Sequence, residues 1–103
     1  MENANISKKI IDEYVRIFDK KGEESFYKYI VGAAIISVQY NKFPEIDLLE
    51  HSNYFFSMAR SKGNKKYFII GKILRKAAHK VYRALFAIDK DRPLNFKFLN
   101  LLK

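Results

Sequence analysis

From Lys65 to Ile88 the apolar side chains return every three or four residues, at Ile70, Ile73, Leu74, Ala77, Val81, Leu85 and Ile88. Residues at that spacing lie on one side of an α-helix, so the stretch is predicted to form a long amphipathic helix that must bury one face against partners. The other face is unusual. Lys72, Arg75, Lys76, His79, Lys80 and Arg83 fall at i, i+3, i+4, i+7, i+8 and i+11, which gathers all six on one side. The polar face of this helix is entirely cationic.

The rest of the chain supplies further helices. Asn5 or Ser7 can cap a first helix over about 5–20, with Ile6, Ile10, Tyr14, Ile17 and Phe18 at helical spacing and Gly22 as its stop. From Glu23 to Asn41 almost every face is apolar, which predicts a central helix over 24–41, buried on several sides. The small Gly32–Ala33–Ala34 patch favours close packing there. Pro44 suits a first helical turn, and Glu45, Asp47 and Glu50 place negative charge near the positive end of a third helix over 44–62. Gly63 ends it, and Asn64 or Ser61 opens the last helix, over 65–88, which stops before Asp89–Arg92 and Pro93. The expectation is a single all-α domain over residues 1–103, a small four-helix bundle with an apolar C-terminal tail, Leu94–Leu102. That tail is expected to dock on the bundle, pair with a second copy, or cover a partner.

Composition narrows the chemistry. With no Cys among 103 residues, disulfides, thiolate metal sites and cysteine nucleophiles are excluded, and a cytoplasmic location is expected. No apolar stretch reaches the roughly 18 residues of a membrane span, and the N-terminus lacks the apolar core of a secretory signal. There is no glycine-rich phosphate loop, no G-x-S-x-G turn and no pair of histidines at metal spacing, so no enzyme, cofactor or metal site is expected. His51 is read as structural, and Tyr54–Phe55–Phe56 as core, because three consecutive positions cannot all face one ligand.

Charge is unevenly placed. Residues 1–50 hold seven basic and nine acidic side chains, whereas residues 51–88 hold nine basic and none acidic. Solvated helices normally mix both signs, so this segment points to a polyanion. Phosphates neutralised along such a rail release counterions, giving affinity without sequence specificity. Arg75 and Arg83 can also fork onto a base edge or phosphate. Arg60, Lys62, Lys65 and Lys66 would extend the patch. Two other readings stay open: a basic face that only aids solubility, and a helix lying on an anionic membrane surface.

The stretch from Phe68 to Tyr82, FIIGKILRKAAHKVY, resembles the C-terminal transposase domain of bridge-RNA-guided insertion-sequence transposases. Ser61–Lys66, Arg75–Lys76, Val81–Tyr82 and Arg92–Pro93 keep the family's order of a lysine- and glycine-rich turn, an Arg-Lys pair, an aliphatic-Tyr segment and a Pro. Tyr29–Asn41 is similar to its alanine-rich helix, so the resemblance covers roughly residues 26–95. No segment matches the family's RuvC-like carboxylates or its active-site serine. The resemblance therefore implies a C-terminal fragment or stand-alone relative that binds DNA or guide RNA without cutting. The alternative is a small basic interaction protein of the bacteriocin-immunity type, acting at a membrane surface or on a protein partner. A homodimer through the aromatics or the tail is compatible with either.

Overall fold

The computed structural model describes residues 6–88. They form three α-helices, α1 (Lys8–Ile36), α2 (Pro44–Lys62) and α3 (Lys65–Ile88), with a 3₁₀ turn at Ser37–Gln39. No strand occurs among the described residues. The all-α class stands, and both of the first two expected helices are present as helical arms broken at Gly22, but the total among the described residues is three helices, because these two arms form one element. Gly22 lies within it at φ 84° and ψ 174°, a region essentially confined to glycine. A single residue makes the break, so no loop separates the two arms. In a straight helix Tyr14 and Phe26 would lie about 18 Å apart. Their rings meet edge-to-face at 6.2 Å, and Phe18 meets Phe26 at 5.7 Å, so the arms fold back on each other.

Local chemistry sets the helix ends. The Ser7 hydroxyl accepts from the Ile10 N–H at 3.3 Å, starting α1 at Lys8. Its second arm ends at Ile36, short of the expected residue 41. There the Ser37 hydroxyl donates to the Ala34 carbonyl at 2.8 Å and the backbone tightens into the 3₁₀ turn. Asn41 then ties the connection to α2: its Oδ1 accepts from the Phe43 N–H at 3.1 Å and its Nδ2 donates to the Asp47 carboxylate. Gly63 closes α2 in the left-handed region at φ 60°, with its N–H and that of Asn64 both donating to the Ala59 carbonyl. The Asn64 side chain in turn accepts from Tyr67 N–H at 3.2 Å and caps α3.

That two-residue connection makes α2 and α3 antiparallel neighbours. Their contact is close at one point. The Ser52 hydroxyl, wholly buried, donates to the Gly71 carbonyl at 2.8 Å, and Phe56 lies against the glycine where a side chain would stand. On its other flank α3 meets α1, where Lys76 lies over the Tyr27 ring. The core draws Phe26 from α1, Leu49 and Phe55 from α2, and Ile70, Leu74, Ala77, Ala78 and Val81 from α3, all fully buried.

The central helix is therefore α3, not the second expected one. In the second arm of α1 only Phe26, Ile30 and Ala34 are buried, a single stripe at i, i+4 and i+8. Tyr29, Ile35 and Ile36 are exposed, Ile36 at 70%. Of the small-residue patch only Ala34 packs into the core: a Cβ on Gly32 would meet nothing within 4 Å, and Ala33 is exposed. Of the three aromatics in α2, Phe55 is buried while Tyr54 and Phe56 are half-buried, in keeping with the core reading. Asn5, the Asp89–Pro93 stop and the apolar tail Leu94–Leu102 lie outside the described residues.

Candidate nucleic-acid interface

The buried positions of α3 define one side of the helix, and the cations occupy the opposite one. Lys72, Lys76, Lys80 and Arg83 are exposed, and Arg75 and His79 are half-buried at the margin. Lys65 continues the line at the start of the helix, so the rail from Lys65 to Arg83 runs about 27 Å. One DNA strand rises about 3.4 Å per nucleotide, which makes the rail roughly eight nucleotide steps long.

The flanking cations divide. Arg60, from the last turn of α2, joins Lys65 and Phe68 around a shallow depression beside Gly63. Lys62 is exposed at the end of α2. Lys66 faces away from the rail and pairs with Asp19 of α1 at 3.1 Å, both side chains about half exposed. Such a pair contributes little to stability, but it sets a carboxylate beside that ammonium. Of the ten cationic and imidazole residues expected in the interface, Lys66 is thus partly engaged by an acid of α1.

Two lysines of the rail sit on aromatic rings. The Lys72 ammonium lies 5.6 Å from the centre of the Phe68 ring, and that of Lys76 lies 5.0 Å from the Tyr27 ring. Burial lowers the pKa of His79, and the neighbouring charges of Arg75 and Arg83 lower it further. The imidazole is therefore neutral at pH 7, and the charge of the rail comes from Lys and Arg alone.

One feature escaped the sequence reading. Phe68 and Phe86 are exposed at 48% and 41% although both are large and apolar. They are 18 residues apart, which is five helical turns, so both stand at one edge of the cationic face. Tyr82 is near the same edge and stacks on Phe86, with ring centres 5.9 Å apart and planes inclined by 20°. The five-turn spacing of Phe68 and Phe86 is present in the sequence, but it does not by itself tell an exposed ring from a buried one.

A second concavity lies away from the rail. The two arms of α1 and the first turns of α2 enclose an open cleft of about 470 Å³, lined largely by apolar residues including Ile10, Ile17, Ile30 and Leu48. On its wall Tyr14 Oη and His51 Nδ1 share a hydrogen bond of 2.7 Å. Burial raises the Tyr14 pKa, aided by Asp47, and lowers that of His51 against the opposing pull of Asp47 and Glu50. Both side chains are thus held neutral. Tyr14 also packs edge-to-face on Phe55, so the pair ties α1 to α2, the structural role expected of His51.

Among the described residues no group of three His, Cys, Asp or Glu side chains is placed to hold a metal ion, and no helix is long and apolar enough to cross a membrane. The chain matches no protein-family model, no curated protein and no solved structure.

Proposed function

We propose that this protein is a non-catalytic nucleic-acid-binding helical module that holds phosphates along the exposed face of α3. The observation that carries the reading is the carboxylate-free cationic rail, from Lys65 to Arg83, on a helix whose opposite face is fixed in the core. Lys72, Arg75, Lys76, Lys80 and Arg83 make the principal contacts, with Arg60, Lys62 and Lys65 extending them past the α2–α3 turn. His79, uncharged at neutral pH, donates a hydrogen bond at most. Lys66 contributes least, because Asp19 competes for it. Cytoplasmic location belongs to this proposal. So does kinship with the C-terminal domain of bridge-RNA-guided transposases, which rests on motif order in residues 26–95 alone.

A second reading, a small basic protein of the bacteriocin-immunity type at an anionic membrane, is favoured by the exposed Phe68 and Phe86 beside the cations. It is the weaker one. A helix lying in a membrane interface buries its apolar face in lipid, whereas α3 has already committed that face to α1 and α2.

The test is binding of a labelled duplex and a structured RNA across a salt series, with anionic vesicles as a third arm. Wild type is compared with a variant carrying Lys72, Arg75, Lys76 and Lys80 all changed to Gln. Removing four phosphate contacts should make the slope of log affinity against log salt shallower by about 3–4. Binding to vesicles but to neither nucleic acid at low salt would move the assignment to the membrane.

A further inference from the structure

A cationic rail alone does not distinguish a duplex from a single strand, because both present phosphates. Two features of α3 do. The first is how deeply the helix is set. Phe56 of α2 packs against Gly71 on one flank, and Tyr27 of α1 lies beneath Lys76 on the other. A bare helix with its side chains is about 10–12 Å across, and the major groove of B-DNA is about 12 Å wide. With neighbouring helices against both flanks, α3 cannot enter that groove as an isolated rod. It presents a surface, not a projecting edge.

The second feature is the line of aromatic rings. Phe68 stands at one end of the rail, and the Tyr82–Phe86 stack at the other, along one edge of the cationic face. Each end has a cation within reach. Lys72 lies over Phe68, and Arg83 is three residues before Phe86 and so is its neighbour on the helix surface. In a duplex the bases are stacked on one another and cannot use such rings. Unpaired bases can, since every base has a π-face, and grooves that track the backbone with charge while stacking bases on aromatics suit single strands.

We propose that this edge of α3 binds single-stranded nucleic acid, with unpaired bases stacking on Phe68 and on the Tyr82–Phe86 pair and the intervening phosphates held by Lys72, Arg75, Lys76, Lys80 and Arg83. The inference rests on the nucleic-acid reading above and names its ligand class. The ring separation of about 27 Å falls within the span of sites that take roughly 4–16 nucleotides.

The experiment measures affinity for single strands of about 15 nucleotides, oligo-dT and oligo-U, and for a duplex of matched length, each over a salt series. Wild type is compared with Phe68→Ala/Phe86→Ala and with Phe68→Leu/Phe86→Leu. The leucine pair keeps apolar bulk and guards against loss of fold, which far-UV circular dichroism checks. The expected result is that wild type prefers a single strand, and the dT and U arms tell which sugar it favours. Both variants should lose roughly five- to hundredfold in single-strand affinity per base unstacked, while duplex affinity and salt slope stay as in wild type. If the duplex binds as tightly as either single strand, or if the leucine variant binds single strands like wild type, stacking is overturned and the phosphate rail survives. Absence of binding to all three probes at low salt overturns both.

Discussion

Gly71 offers a sharp test of how α2 and α3 are packed. A methyl group there would lie 2.9 Å from Phe56 Cδ1, 3.0 Å from Cε1 and 3.3 Å from the Ser52 carbonyl oxygen. Neither obstacle yields easily, since the Phe56 ring also packs on Phe68 and the Ser52 oxygen is helix backbone. Two effects oppose each other in Gly71→Ala. Helix propensity gains about 1 kcal/mol, and forced overpacking costs about 1–3 kcal/mol. Gly32 isolates the first effect, because it is also helical and a Cβ on it would meet nothing within 4 Å. Gly32→Ala should therefore stabilise the protein by about 1 kcal/mol, while Gly71→Ala should leave it unchanged or destabilise it by up to about 2 kcal/mol. The difference between the two variants is the packing cost, since propensity cancels. For a domain of this size about 1 kcal/mol corresponds to 4–8 °C, so the variants should melt at least about 4 °C apart with Gly32→Ala the higher. Thermal and urea unfolding followed by far-UV circular dichroism read this directly. If both variants melt together above wild type, the close approach of the two helices is wrong.

Gly22→Ala should cost about 1–3 kcal/mol although the space around it is open, because φ 84° with ψ 174° strains any side-chain-bearing residue. Unchanged urea stability would show that the fold-back of α1 does not depend on this residue. The histidines give a pH dependence with a defined sign. Folding lowers the pKa of His51 and His79, so below about pH 6.5 the unfolded chain binds more protons than the folded one. Their contribution is present above that pH and is lost as pH falls through the folded-state values. Melting temperature should accordingly fall from pH 7.5 to 5, and His51→Gln should flatten the fall; a variant with the wild-type profile would refute the role of this half-buried imidazole.

The parts of this fold legible in the sequence are those whose cause is local. Ser7, Pro44, Gly63 and Asn64 act through hydrogen bonds or dihedral angles within about one helical turn, and each marks a boundary where the residue type says it should. Gly22 was legible as a break but not as a fold-back within one element, since that depends on Tyr14 and Phe18 finding Phe26. The second arm of α1 was misread because residues 26–38 are apolar on almost every face and so carry no azimuth. Only tertiary packing decides that Ile30 is buried and Ile36 is not. The candidate interface divides the same way. The cationic face lies on one helix, so periodicity alone places it. The diversion of Lys66 depends on Asp19, 47 residues earlier, and the cleft draws its lining from three separated segments, so neither leaves a local trace.

In α3 the core and the proposed interface are back to back, which makes them separable by mutation. Ile70, Leu74, Ala77, Ala78 and Val81 carry the packing, while Lys72, Lys76, Lys80 and Arg83 are exposed. Changing Lys72, Arg75, Lys76 and Lys80 to Gln lowers the net charge from +9 to +5 (9 − 4). Surface substitutions usually stay within about 0.5 kcal/mol each, and the loss of Lys72 from the Phe68 ring and of Lys76 from the Tyr27 ring costs about 0.5–1 kcal/mol each at an exposed site. Relief of repulsion along a helix that carries no Asp or Glu of its own works in the other direction. The variant should therefore melt within a few degrees of wild type while its salt-dependent binding weakens. A large fall in melting temperature would mean that these cations hold the structure together, and weakened binding could then no longer be assigned to phosphate contacts.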